Sequence, residues 1–215
     1  MATLVFDIET VGLTPAVTDA EEDTSGLSPF TGKVIAIGVW DVERRQGVVY
    51  YETTETDEWQ EGDWSYRPSN ERDMLEDFWE GARSYDVFVT FAGRNFDVPF
   101  LNLRSAAHSL TPTKEFLEHR YLNRQTTMRH VDLQDQLSFY GAFGKKPSLH
   151  AYCELFGIES SKAEGVSGKD VAELFVTEKF RDMARYNARD VTATAELYRH
   201  WYTHLAPASF KNIEK

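Results

Sequence analysis

The sequence predicts an α/β domain built on a mixed sheet of about five strands, with helices on both faces. Three observations lead there. Short apolar runs rich in Val, Ile and Phe recur between polar breaks, and the second and third lie close enough to form a hairpin. Later runs alternate with segments of helical periodicity, and the chain finishes in one long helical stretch.

TLVFDIET (3–10) reads as a buried strand, followed by a polar loop over 14–31 with Pro, Gly and Ser punctuation. KVIAIGVWDV (33–42) and GVVYYET (47–53) are the second and third strands, joined by a hairpin at ERRQG. TETDEWQEGDWSYRP (54–68) reads as an acidic loop whose two tryptophans either pack on the body or mark a mobile insertion. Residues 69–85 form a helix with Ser69 or Asn70 as N-cap and Met74, Leu75, Phe78 and Trp79 as its apolar stripe. DVFVTF (86–91) is the fourth strand. A helix follows over about 98–109, with Pro99 in the first turn, where proline is tolerated. HVDLQDQLSFY (130–140) holds a fifth strand or a strand–helix turn. Helices are then predicted over 148–158, ended by Gly157, over 168–175, and over 180–205.

A length of 215 residues suits a single domain, 1–215, with a sizeable core. No apolar run reaches the length that spans a bilayer, and MATLVFDIET lacks the features of a signal peptide. The one cysteine, Cys153, excludes an intramolecular disulfide, reads as a small core residue and fits a reducing, cytoplasmic setting. The net charge of −12 is unevenly spread. Residues 1–85 carry 19 acids and 6 Lys/Arg, whereas residues 86–215 carry 16 and 17. An acidic chain is poorly suited to hold a long nucleic-acid duplex, because phosphates need cationic partners, but a short end gripped locally is compatible with it.

Three acidic motifs carry chemistry. Asp7 and Glu9 are two apart on a predicted strand, so both point to one face and interrupt an otherwise apolar run. Asp97, in NFDVPF, follows a strand at the start of a helix, a place where α/β folds put their sites. Tyr186 and Asp190 are four apart on the last helix and share a face. Taken singly, these read as solvated strand-end acids, a helix cap, and a surface acid neutralised by Arg185 or Arg189 beside a core tyrosine. Taken together, four carboxylates from three segments are what a pair of hard divalent ions requires for phosphodiester hydrolysis.

DIETVGL, FDVPFL and YNARD, in that order, resemble the DEDDy 3′–5′ exonucleases of the ribonuclease H-like fold. The chain is similar above all to stand-alone relatives of the family B DNA polymerase proofreading domain, over about residues 3–203. The resemblance implies that Asp7, Glu9, Asp97 and Asp190 bind two Mg²⁺ or Mn²⁺ ions and that Tyr186 orients the attacking water. In that scheme Asp7, Glu9 and Asp190 share one ion, Asp7 mainly holds the other, and Asp97 acts through water. Thr10 with the following VGL, and Phe96, match positions lining the terminal nucleotide. SLHAYCELFGI and GKDVAELF also match the polymerase-type group. Relatives often have Asn four residues before the Phe of Phe-Asp; here Ala92 stands there, and Asn95 lies nearer the acid.

The implied substrate is single-stranded nucleic acid with a free 3′ end, DNA ahead of RNA. The sequence identifies no polymerase or repair partner. A catalytically silent nucleic-acid-binding module and an RNA-processing exoribonuclease are the competing readings. His200 and His204, four apart on a helix, lack a third ligand and read as structural. His108, His119, His130 and His150 are given no role. Arg120, Arg124, Arg129, Lys145 and Lys146 form a locally basic stretch, read either as phosphate contacts or as solvated charge. Phe139, Tyr140 and Phe143 are expected to pack in the core rather than stack on bases.

Overall fold

The computed structural model describes residues 1–12, 28–142, 144–159 and 168–211. Its centre is strand β1 (Thr3–Gly12), buried on both faces. Leu4, Phe6 and Ile8 point into one core with Met74, Leu75, Phe78, Val98 and Phe100. Val5 packs on the other side with Val191 and Leu197, and Val11 with Met183 and Ala184. The two-residue period of a strand therefore divides β1 between two helical layers.

A mixed sheet of seven strands surrounds β1, in the order β4-β5-β3-β2-β1-β6-β7. β2 (Gly32–Asp41) and β3 (Gln46–Glu52) form the expected antiparallel meander with β1. β6 (Val87–Thr90) and β7 (Arg129–Asp132) extend the sheet in parallel on the other side.

The count of about five strands is exceeded because the segment read as an acidic loop supplies β4 (Trp59–Glu61) and β5 (Trp64–Ser69). Gly62, with φ of 58°, makes the turn between them, and β5 runs parallel to β3. The tryptophans do pack on the body. Trp59 stacks on Tyr66 at 3.7 Å and donates Nε1–H to the Tyr51 hydroxyl at 3.1 Å. Arg181 and Arg185 lie over the Trp59 ring while pairing with Glu55 and Glu61. Alternating aromatics and arginine-matched acids thus overrode the loop composition.

The helices fall close to expectation. α1 (Glu71–Ala82) is capped by Asn70, whose side chain accepts from Asp73 N, and it buries the predicted stripe. α2 (Asp97–Ala107) starts at the second acidic motif. The strand–helix turn after β7 is α3 (Leu133–Leu137). α4 (Leu149–Phe156) ends at Gly157 in the left-handed region, φ 67°. α5 (Gly168–Val176) leads into α6 (Phe180–His204), and α7 (Ala208–Lys211) follows, unanticipated.

One core expectation fails. Phe139 is 63% exposed, because it and Tyr140 both take left-handed backbone (φ 52° and 58°) as the chain turns off α3. Phe143, and the part of the 14–31 loop up to Leu27, lie outside the described residues, as does Leu13 of the VGL stretch. Cys153 and His130 are buried as core residues. His200 stacks on Phe156 and touches His204, in keeping with a structural pair. No helix among the described residues is long and apolar enough to cross a membrane.

Candidate metal centre

The site forms where the ladder between β1 and β6 runs out. The two strands pair only over Thr3–Val5. Beyond that point the edge of β1 is open, and the chain leaving β6 crosses it to start α2. Ile8 N–H lies past the paired stretch, and it donates to Asp97 Oδ1 at 3.1 Å. Asp97 is 3% exposed. As the first residue of α2 it was expected to cap the helix or hold a metal, and its carboxylate also reaches back to β1.

Asp7 and Glu9 share the β1 face that meets α6. Asp190, on α6, completes the group: one carboxylate oxygen from each of Asp7, Glu9 and Asp190 lies within 4.8 Å of the others. Arg185, one of the two arginines expected near Asp190, pairs with Glu61 and Asp182. Tyr186 is buried one turn before Asp190, in the cluster with Val11, Ile35 and Met183. Thr10 ends the acidic stretch of β1, partly buried. Asn95, exposed, and Phe96, partly buried against Phe100, lie in the loop entering α2.

The carboxylates are held in opposition to one another. Burial, then the charges of Asp97, Glu9 and Asp190, push the Asp7 carboxyl well above the usual carboxylate range. Burial and Asp190 do the same to Glu9. Burial lifts Asp97 to about 7, partly offset by the bond from Ile8 and reinforced by the charge of Asp132. Burial and the charge of Asp190 raise the Cys153 thiol to about 11, which suits an inert core residue.

Three residues missed by the sequence reading hold this arrangement. Asn187, completely buried on α6, donates Nδ2–H to Asp7 Oδ2 at 3.0 Å, and its hydrogen bonding also lowers the Glu9 carboxyl. Its signal was a polar residue in the stripe Met183–Asn187–Val191, one helical turn apart each way. Gly38, opposite Asp7 on β2, makes the approach possible: a Cβ there would lie 2.2 Å from Asn187 Oδ1 and 2.9 Å from Val191 Cγ2. Asp132, at the end of β7, accepts from Ala92 N at 3.0 Å and Arg94 N at 2.9 Å, and so clamps the loop that delivers Asp97.

Three mutually repelling carboxylates fit a hard divalent cation with oxygen ligands. Among the described residues this is the one group of three or more metal-capable side chains. Mg²⁺ or Mn²⁺ would meet the chemistry of this donor set.

The comparisons with known proteins bear on the family and the fold. A family model described as "Predicted 3′-5′ exonuclease related to the exonuclease domain of PolB" matches residues 30–212. That span includes Asp97, Tyr186 and Asp190 and begins after Asp7 and Glu9. No curated protein matches the chain. Among solved structures, the family B DNA polymerase from the hyperthermophilic archaeon Pyrobaculum calidifontis superposes with a TM-score of 0.64 at 18% identity, over 94% of this chain. The chain spans 24% of the length of that polymerase. The shared architecture is the ribonuclease H-like mixed sheet.

Proposed function

The chain belongs to the family of predicted 3′–5′ exonucleases related to the exonuclease domain of PolB, and on that premise we propose that it hydrolyses phosphodiester bonds at single-stranded 3′ ends with divalent metal. Residues 1–215 would act as one exonuclease domain of the DEDDy type. The observation that carries it is the convergence of Asp7, Glu9 and Asp190 from β1 and α6, with Asp97 against the same edge.

Asp7, Glu9 and Asp190 would hold Mg²⁺ or Mn²⁺, with Asp7 placed to serve two ions. Bound metal supplies charge neutralisation at the phosphate and a more acidic water. Asp97, held by Ile8 N–H, accepts hydrogen bonds from water between it and the cluster. Tyr186 orients the attacking water; a phenol is ordinarily protonated at neutral pH, so it serves as a hydrogen-bond partner rather than a base. Thr10, Asn95 and Phe96 contact the terminal nucleotide. DNA is the favoured substrate over RNA.

End-labelled DNA and RNA oligonucleotides incubated with Mg²⁺, Mn²⁺ or chelator test the reading on one gel. Stepwise shortening from the 3′ end, abolished by chelator and by Asp7→Ala or Asp190→Asn, is expected. Tyr186→Phe should slow turnover while sparing metal binding. Wild-type rates in Asp7→Ala would end the assignment. A wild-type protein that binds single strands without cleaving them would favour the silent-module alternative.

A further inference from the structure

Glu9 and Thr10 sit where the pairing of β1 with β2 slips. Glu9 lies opposite Ala36 and Thr10 opposite Val34, which leaves Ile35 as an extra residue on β2. Such a bulge bends its strand and re-aims nearby side chains, and it leaves backbone groups to find partners off the ladder. Val34 N–H finds one in Glu71 Oε1 at 2.9 Å. Glu71 is the first residue of α1 and is buried. Its two oxygens are fixed from the other side by Arg104, at 2.8 Å from Nε and 2.7 Å from Nη2, and by His108 Nε2 at 2.8 Å. Arg104 is itself anchored to Pro29 O.

A buried carboxylate costs free energy unless its oxygens are well satisfied. Here the satisfied oxygen set spans α1, α2 and β2, and its β2 end lies at the irregularity beside a candidate metal ligand. We propose that Glu71 is a positioning residue: braced by Arg104 and His108, it fixes the bulge at Ile35 and so aims Glu9 into the metal centre. The inference rests on the reading of that centre as a metal site. Glu71→Gln would keep an oxygen for Val34 but turn an amide N–H toward Arg104, so one of the two holds must fail.

The test measures Mn²⁺ binding by calorimetry, kcat and KM on a single-stranded oligonucleotide, and melting temperature, for wild type, Glu71→Gln and Arg104→Lys. Arg104→Lys loses the two-pronged grip without touching the Val34 acceptor, and it serves if Glu71→Gln does not fold. Groups that orient a metal ligand typically change affinity or activity about 10–100-fold. Expected is an Mn²⁺ affinity and a kcat each lowered at least about tenfold, with KM for the oligonucleotide unchanged. Variants that melt earlier but keep Mn²⁺ affinity and kcat within about twofold would make Glu71 merely structural and overturn the inference. A wild type that takes up no Mn²⁺ would instead sink the reading of the centre itself, and the inference with it.

Discussion

Asn187 and Asp7 are joined across the sheet–helix interface: the amide nitrogen of the one lies 3.0 Å from Oδ2 of the other, 180 positions away in sequence. The contact lowers the Asp7 carboxyl against burial and the charges of three neighbouring acids. Asn187→Ala should therefore lower kcat and Mn²⁺ affinity about 10–100-fold, as loss of a ligand-orienting bond does. Asn187→Asp should do more, because it places another acid among buried ones; at neutral pH without metal it should melt well below wild type and recover on adding Mn²⁺. Melts with and without metal check this, and an Asn187→Asp protein as stable as wild type without metal would contradict the electrostatic account.

Gly38 faces the same amide. A methyl group there collides with Asn187 Oδ1 at 2.2 Å, and neither the strand nor a 25-residue helix yields easily. Gly38→Ala should cost about 1–3 kcal/mol as overpacking does, and should cut activity by shifting Asp190 away from β1. Gly81 is the control: a Cβ on it meets nothing within 4 Å. Gly81→Ala, in the last turn of α1, should stabilise by about 0.4–1 kcal/mol and leave activity alone. Urea unfolding of both variants decides it, and equal behaviour would refute the packing argument.

Much of this was legible in the sequence, and the limits have physical causes. Spacing alone placed Asp7 and Glu9 on one strand face and Tyr186 and Asp190 on one helix face, because strand and helix periods are local. Asn187 was not legible as a site residue, since its partner is chosen by the register between α6 and β1, which no local period encodes. The same holds for Glu71, read only as part of a helix start. β4 and β5 were missed because acidic composition suggested a loop, while the stabilising partners, Arg181 and Arg185, lie more than 100 positions later. Phe139 went astray because hydrophobicity predicts burial only on average, and a left-handed turn carries this ring into solvent.

Ala92 occupies a left-handed backbone position, φ 61°, at the place where the family resemblance led one to expect Asn. That conformation costs an alanine roughly 1–2 kcal/mol and an asparagine less. Asp132 enforces it by gripping Ala92 N and Arg94 N together. Ala92→Asn should thus raise stability by about 1 kcal/mol without loss of activity. Asp132→Ala should release the loop, leave backbone donors unsatisfied at about 1–3 kcal/mol, and lower kcat through Asp97. Stability curves and single-turnover rates test the pair. A less stable Ala92→Asn would argue that this backbone is not strained.

The raised carboxyls make metal dependence a function of pH, with a definite sign. A carboxyl whose folded value lies above its ordinary one, near 4, binds more protons folded than unfolded between the two values. Metal-free protein therefore loses stability as pH rises through that window, which for Asp97 runs up to about 7. His130, buried between Thr90 and the Phe116 carbonyl and lowered to about 3, works the other way: it must stay neutral, so it costs stability as pH falls below about 6.5. Mn²⁺ acts on the carboxylates and not on His130, so the difference between loaded and metal-free melts isolates the acids. At pH 5, below the Asp97 value of about 7, the ion meets a site that still holds this proton, so it should shift the melt less than at pH 8, above that value. At 100 times its dissociation constant it should then add about 2.7 kcal/mol. Equal shifts at pH 5 and pH 8 would mean that the ion binds away from the carboxylates that surround Asp97.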